Sequence, residues 1–455
     1  MGNKKKRDPY QPDYRGKRWI EVDLPTQSCD WSTGGEQSIV TDRDNVNDLV
    51  EVLGNFQAGK KWQWPKRQLY FISDLHADPD AFNASLVASS GVSQFGSGHR
   101  DFKLTSSGRK ARFVIGGDCF DKGPDNLGLL RAVRHLKDQG ARLTLLAGNH
   151  DIRLLFGMRV VGAEKEVRNE HFFVRSGQKI IPLLREIWEV YLAGKTKTKD
   201  LPNVATCRQR LYPRASWFDE FPKIKGGDIL PSQFERELQR IAKKMDRFES
   251  LCGDAGLDLR QVYAATQQWK ALFLKRRGEF RWFYNDMQLC YRSGSFLFVH
   301  AGVDDEVASI LARDGVAQLN RAFQTSVRLA PFDFYYGALC NTIRTKYRAV
   351  DRPFTAKGAK QLRKAGITAI VHGHRNLHHG QRLSLRQSQL NFECDTSLDR
   401  HTRKVENVVG RGASVTIVHP DGYLLGVSSD YPKIKVFHPR QTLDELRTKS
   451  SSARK

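Results

Sequence analysis

Between residues 67 and 430, short apolar runs of strand length recur, and each breaks off into polar residues. Leu69-Tyr70-Phe71-Ile72 gives way to Ser73-Asp74-Leu75-His76, and Phe113-Val114-Ile115 to a Gly-Gly-Asp turn. Leu143-Thr144-Leu145-Leu146 runs into Gly148-Asn149-His150, Phe296-Leu297-Phe298-Val299 into His300, and Ala369-Ile370-Val371 into His372-Gly373-His374. Apolar stretches of this length bounded by turn formers predict buried strands. Other stretches carry apolar residues at helical spacing: Asn126 to Lys137, Ser232 to Leu251 and Leu259 to Lys275. Residues 88–110, rich in Ser and Gly, predict a long loop. Residues 152–295 hold long helical patterns with Trp188, Trp217, Trp269 and Trp282 among them, and no strand-end polar cluster. The pattern predicts an α/β (α+β) domain over 67–430 with a mostly helical insertion or cap at 152–295. It is flanked by a basic N-terminal extension, 1–66, disordered through about residue 18, and a loose basic tail, 431–455.

Composition adds a charge problem. The chain has 455 residues, 40% of them hydrophobic, and its 74 Lys and Arg exceed 50 Asp and Glu, for a net charge of +24. Such an excess attracts anions: phosphate esters, nucleic acid, acidic proteins or an anionic membrane. A generally basic soluble protein meets the same numbers. Seven scattered cysteines with no CxxC argue against a disulfide framework and suit a reducing cytosol. The opening MGNKKKRDPY lacks the apolar stretch of a secretory signal, and Lys6 breaks the myristoylation pattern. No apolar run approaches a membrane span. A cytoplasmic location is the expectation.

The strand ends supply the candidate chemistry. In Asp74-Leu75-His76 two alternate side chains of an extended chain point the same way, and carboxylate with imidazole suits Mn, Fe or Zn. One such pair reads equally well as an exposed strand end. Four further strand ends change the balance. They offer Asp118 on a Gly-flanked turn, Asn149 with His150, His300, and His372 with His374. Ligands delivered at the carboxyl ends of strands are the general arrangement of α/β sites.

The ordered set Asp74-Leu75-His76, Gly117-Asp118-Cys119-Phe120-Asp121-Lys122-Gly123, Gly148-Asn149-His150-Asp151, His300-Ala301-Gly302 and Gly373-His374 resembles the calcineurin-like metallophosphoesterases, and in detail the phosphoprotein phosphatase superfamily. The resemblance covers about 67–430, without most of 152–295. It implies a four-layer β-sandwich flanked by helices, with the helical stretch as an insertion. It implies two divalent metal ions (Mn, Fe or Zn) about 3 to 4 Å apart. Asp74, His76 and Asp118 hold the first, and Asp118 bridges to a second that adds Asn149, His300 and His374. On that resemblance, a metal-bridging hydroxide would attack phosphorus. His150 protonates the leaving group, oriented by Asp121, whose charge is expected to raise the imidazole pKa.

Lys122 stands where the family has a phosphate-gripping Arg, keeping the charge and losing the bidentate fork. Arg344 and Arg348 are candidates for a second phosphate-binding Arg, or else form a solvated basic face. His374 fits the ligand position and His372 lies near it. The place of a further family His is taken by Asn376, which favours the phosphatase branch over nuclease-like relatives. Asp395 reads as structural, and His378 and His379 as surface residues. The resemblance implies a phosphomonoesterase of the phosphoprotein Ser/Thr type. A dinucleoside polyphosphate or other nucleotide hydrolase is the alternative. A phosphorylated protein or nucleotide would be the partner. A third possibility is an inert core that binds nucleic acid through its basic charge.

Overall fold

The computed structural model describes residues 8–31, 46–58, 62–224 and 231–452. Two sheets organise them. The larger runs in the order Ser28–Asp30, Ile434–Phe437, Tyr423–Ser428, Ser414–His419, Leu69–Ile72, Arg112–Ile115, Arg142–Leu146, Met287–Gln288, and its last four strands are parallel. The smaller runs Arg382–Arg386, Gln389–Glu393, Ala369–His372, Phe296–Val299, Cys290–Ser293, with its three inner strands parallel. The five apolar runs are thus five parallel strands, three in one sheet and two in the other. Strands covered on both faces read as unbroken apolar runs, and all four residues of Leu69–Ile72, Phe296–Val299 and Ala369–His372 are buried.

Alternation decides which side chain goes where. Leu69, Phe71, Val114 and Leu146 turn toward Phe296, Phe298, Val371 and Phe392 to form the core between the sheets, with the Phe71 and Phe298 ring centroids 5.8 Å apart. Tyr70, Ile72, Phe113 and Ile115 face the other way, into a core shared with Leu129, Leu130 and Val133 of the helix Asn126–Asp138. Across the smaller sheet, Leu297, Val299 and Ile370 join Val307, Leu311 and Leu362 of the helices Asp305–Leu329 and Ala356–Lys364. The result is helix, sheet, sheet, helix. Each large apolar side chain so buried contributes roughly 1.5–3 kcal/mol.

Three expectations change. Residues 88–110 are not a plain loop: Val92–Gln94 pairs antiparallel with Phe102–Leu104, because Val92, Phe102 and Leu104 have apolar surface to bury. The stretch 152–295 is helical through Asp286 in its described part, but ends in the strands Met287–Gln288 and Cys290–Ser293, one on an edge of each sheet. The chain ends are not loose extensions. Lys17–Trp19 forms a helical turn, and Ser28–Asp30 pairs with Ile434–Phe437. Leu49 and Leu53 of the helix Val46–Ala58 meet Leu443 and Leu446 of the helix Pro439–Ser452 in the inter-sheet core. The amphipathic spacing of Leu443 and Leu446 is hidden among Lys, Arg and Ser. Residues 1–7 and 453–455, the outermost parts of the expected tails, lie outside the described residues.

Candidate metal centre

Every predicted strand end opens onto one place. The loops after Leu69–Ile72 and Arg112–Ile115 run side by side, with Gly116 N donating to Ile72 O (2.7 Å), Asp74 N to Gly117 O (3.1 Å) and His76 N to Asp118 O (2.9 Å). Two glycines let backbones approach closely. A Cβ on Gly148 would lie 2.2 Å from Asp118 Oδ1, and one on Gly373 would lie 2.0 Å from Asp74 Oδ2. Backbone strain gathers here as well. Asp74, His76, Ala77, Asp118, Asp121, Lys122 and His374 take positive φ, seven of fourteen such non-glycine residues among those described. Residues held this way cost of order 1–3 kcal/mol each and cluster at functional sites.

Asp118, 1% exposed, sits at the junction of two groups of donor atoms. Asp74 and His76 gather on one side of it, His300 and His374 on the other. Its Oδ2 lies 3.4 Å from His300 Nε2 and 4.0 Å from His76 Nε2. The three histidines are each anchored through one ring nitrogen to a backbone carbonyl: His76 Nδ1 to Phe120 O (3.1 Å), His300 Nδ1 to Gly116 O (2.8 Å), His374 Nε2 to Arg344 O (3.1 Å). A carbonyl accepts only, so the anchored nitrogen carries a proton, and in the neutral ring the other turns a lone pair inward, as ligating histidines do. Asn149 completes the second group. Its amide lies 3.2 Å from both Asp118 Oδ2 and His300 Nε2, and 3.1 Å from His374 Nδ1. With the amide oxygen inward and both imidazoles neutral, four lone-pair atoms would converge, an arrangement a cation fits. Burial would lower His300, but the charges of Asp118 and Asp74 outweigh it and push the imidazole up to about 10. That proton must leave before Nε2 can ligate.

His150 stands across Asp118 from these donor atoms, with Nε2 3.7 Å from Asp118 Oδ2. Its Nδ1 donates to Asp121 Oδ2. Burial holds the imidazole down at about 3, although Asp121 and Asp118 pull it up. Asp121 does pull this histidine upward, as expected, but desolvation in a fully packed pocket outweighs it. Burial also works on Asp121 in the opposite sense, but His150, Lys179 and Arg153 leave its carboxyl well below the ordinary range.

The phosphate-binding candidates separate. Lys122 Nζ reaches into the first group, 2.9 Å from His76 Nε2. Arg344 lines a cavity with Asn149 and His374, its guanidinium 5.5 Å above the Tyr335 ring. Arg348 is exposed on the outer rim and paired with Asp351 at 3.3 Å. His372 points away, Nδ1 toward Gly373 O (3.0 Å). Asn376 and His378 bind Glu406. Asp395 is buried, and burial with the charge of Asp74 raises its carboxyl well above the ordinary range.

Three contributors were not singled out from the sequence. Asp151, fully buried, clamps two strand-end loops by accepting from Asp118 N (2.9 Å), Cys119 N (2.9 Å) and Gly148 N (3.1 Å). Arg153 donates to Asp121 (3.4 Å) from one helical turn beyond His150, a spacing that could have flagged it. Glu186, from the insertion, accepts from Asn126 N (2.9 Å), Asn126 Nδ2 (2.6 Å) and Leu127 N (3.0 Å). Asn126 in turn accepts from Asp121 N at 3.1 Å.

Removing Glu186 strands several donors, so Glu186→Ala should cost about 2 kcal/mol in urea unfolding. Burial lifts this carboxyl from an ordinary 4.5 to about 7, against its N–H donors. A raised acid contributes most below its unfolded value and loses that contribution as pH rises through the folded one. The stability gap between wild type and Glu186→Ala should narrow from pH 5 to pH 8. A constant gap would mean that Glu186 does not titrate in this window.

The family model of the calcineurin-like phosphoesterases matches residues 68–238. Over 105 residues, the chain is 30% identical to the symmetrical bis(5'-nucleosyl)-tetraphosphatase of Buchnera aphidicola subsp. Schizaphis graminum, a match over 23% of this chain and 31% of that one. The chain thus spans about a third of that relative's length. Among solved structures, a cold-active protein-tyrosine phosphatase of a psychrophilic Shewanella is 12% identical, with 81% of this chain and 80% of that chain covered and a TM-score of 0.39. A protein serine/threonine phosphatase from Saccharomyces cerevisiae is 11% identical, covering 87% and 90%, with a TM-score of 0.35. Likenesses of that size bear on neither substrate nor mechanism.

Proposed function

We propose, from the premise that this chain carries a calcineurin-like phosphoesterase domain, that it hydrolyses phosphate monoesters of the phosphoprotein Ser/Thr type. The observation that carries the reading is the convergence of two donor groups on the single carboxylate of Asp118. Asp74, His76 and Asp118 would hold one divalent cation, and Asp118, Asn149, His300 and His374 the other. Carboxylate, amide and imidazole donors together suit Mn, Fe or Zn. Such a pair supplies an acidified water and positive charge for the phosphoryl oxygens.

The remaining work falls to this chain's side chains. Lys122 and Arg344 flank the donor groups and hold the phosphoryl oxygens, Lys122 as a point charge and Arg344 as a fork. Arg153 and Asp121 fix the His150 ring, leaving Nε2 turned toward Asp118 and the bound substrate. Burial favours the neutral imidazole in the free protein. A dianionic phosphoryl group arriving beside it favours the imidazolium, which can then hand its Nε2 proton to the departing alkoxide. Asp121, ionised throughout, balances the charge on Nδ1–H.

A second reading, a nucleotide hydrolase, draws on the name of the curated relative and on the cationic cavity beside Asn149. The test is a panel run with metal-stripped protein and Mn added back: an aryl phosphomonoester, a bis-aryl phosphodiester, a phosphoserine peptide and a dinucleoside tetraphosphate. Turnover of monoester and phosphopeptide is expected. Preference for the dinucleotide by tenfold or more in kcat/KM, about 1.4 kcal/mol, would replace the first reading by the second. Silence across the panel with two metals bound would sink both.

A further inference from the structure

The cavity that opens from Asn149 and His374 has a volume of about 840 Å³. Its far walls do not belong to the metal centre. One is the insertion helix Pro231–Asp254, which contributes Arg236 and Arg240; the other is the segment 346–352, which contributes Arg348 and Arg352. Seven arginines and one lysine line this space against two acids, Glu237 and Asp351. The acids are already engaged. Glu237 Oε1 lies 2.5 Å from Arg175 and its Oε2 4.0 Å from Arg240, while Asp351 takes Arg348. Arg236 and Arg344 have no carboxylate within ion-pair distance among the described residues.

So many cations on one concave surface repel one another and focus a field that draws in anions. A single phosphoryl group at the metal centre is met by Lys122 and Arg344; on the far wall Arg240, Arg348 and Arg352 face Glu237, Asp351 and Glu306, and Arg236 adds a further positive charge. Guanidinium forks match phosphate oxygens two by two. The volume lies in the range of small-ligand sites, about 300–1,000 Å³.

Building on the phosphoesterase reading, we infer that Arg236 and Arg240 of the insertion, with Arg348 and Arg352, form a second anion subsite for a further phosphoryl group of the same compact ligand, an oligophosphate chain. The helical insertion is then what selects ligands by their number of phosphoryl groups.

Competitive inhibition tests this on the full-length protein loaded with Mn, with Mn in excess over all phosphate and p-nitrophenyl phosphate as the reporter. The inhibitors are orthophosphate, tripolyphosphate and a doubly phosphorylated peptide. Tripolyphosphate should inhibit at a concentration about tenfold or more below orthophosphate, and below the peptide. Arg236→Gln combined with Arg240→Gln should bring the ratio of the two inhibition constants to within about twofold of unity. Arg276→Gln combined with Arg277→Gln, the same charge change on an exposed turn, should leave the ratio intact. A wild-type ratio near one, a ratio untouched in the Arg236/Arg240 variant, or a peptide that outcompetes tripolyphosphate each overturns the subsite. Failure to hydrolyse p-nitrophenyl phosphate overturns the phosphoesterase reading instead. In that case calorimetric titration of tripolyphosphate and orthophosphate into wild type and the double variant reads the same ratio directly.

Discussion

Asp118→Asn should abolish stoichiometric metal binding and lower kcat/KM on an aryl phosphate by on the order of a thousandfold or more, about 4 kcal/mol of transition-state stabilisation. Asp118 is the shared member of both donor groups, with Asp74 and His76 on one side and His300 and His374 on the other. Two dications a few Å apart repel strongly, and a shared anion offsets that repulsion. An amide supplies an oxygen donor but no charge. The substitution is nearly isosteric, and Asp118 Oδ1 accepts from His150 N at 2.8 Å, a contact the amide oxygen can keep. The fold should therefore survive. Without metal, the variant should melt close to wild type. With Mn, wild type should gain stability according to its affinity, since a ligand that binds only the folded state stabilises by RT ln(1 + [L]/Kd), and the variant should gain little. Metal content by plasma emission, melting with and without Mn, and steady-state rates give three readings. Two bound metals with wild-type turnover would remove Asp118 from the bridging position.

The site was legible because its grammar is local. Each apolar run ends near the edge of its sheet, and within three residues of its end comes a proposed ligand. His374 could be chosen over His372 from motif order alone, and the structure places His374, not His372, among the donor atoms. What was not legible depends on distance or on burial. Glu186 reaches Asn126 across 60 residues, and Arg236 comes to the cavity on a helix that reads as an ordinary amphipathic one. The sheet-edge pairing of Ser28–Asp30 with Ile434–Phe437 joins opposite ends of the chain, and strands of three or four residues in charged surroundings leave almost no periodic signal. The net direction of the His150 shift was hidden for another reason. Asp121 was rightly placed beside it, but a neighbouring carboxylate raises a histidine only as far as desolvation allows, and desolvation is a property of the packed fold.

That shift shapes the second large effect. His150→Asn should lower kcat on a phosphoserine peptide by about 10²–10⁴-fold while leaving both metals bound, because His150 is none of the six proposed ligands and its Nδ1 is taken by Asp121, although its ring lies beside that of His76. The loss should depend on the leaving group. A serine alkoxide is strongly basic and needs a proton as the P–O bond breaks; a p-nitrophenolate leaves readily without one. If His150 delivers that proton, the variant's deficit on p-nitrophenyl phosphate should be smaller than on the peptide by tenfold or more, and Asp121→Asn should show the same asymmetry in weaker form, since Asp121 acts through the His150 ring. A merely structural histidine would depress both substrates alike. Equal losses on the two substrates, or loss of metal in His150→Asn, would therefore take the proton away from His150. A neutral imidazole in the free protein does not stand against the role. The ring has to acquire its second proton only when the phosphoryl dianion is bound beside it, and that dependence on substrate keeps the acid uncharged in a buried pocket until there is a leaving group to protonate.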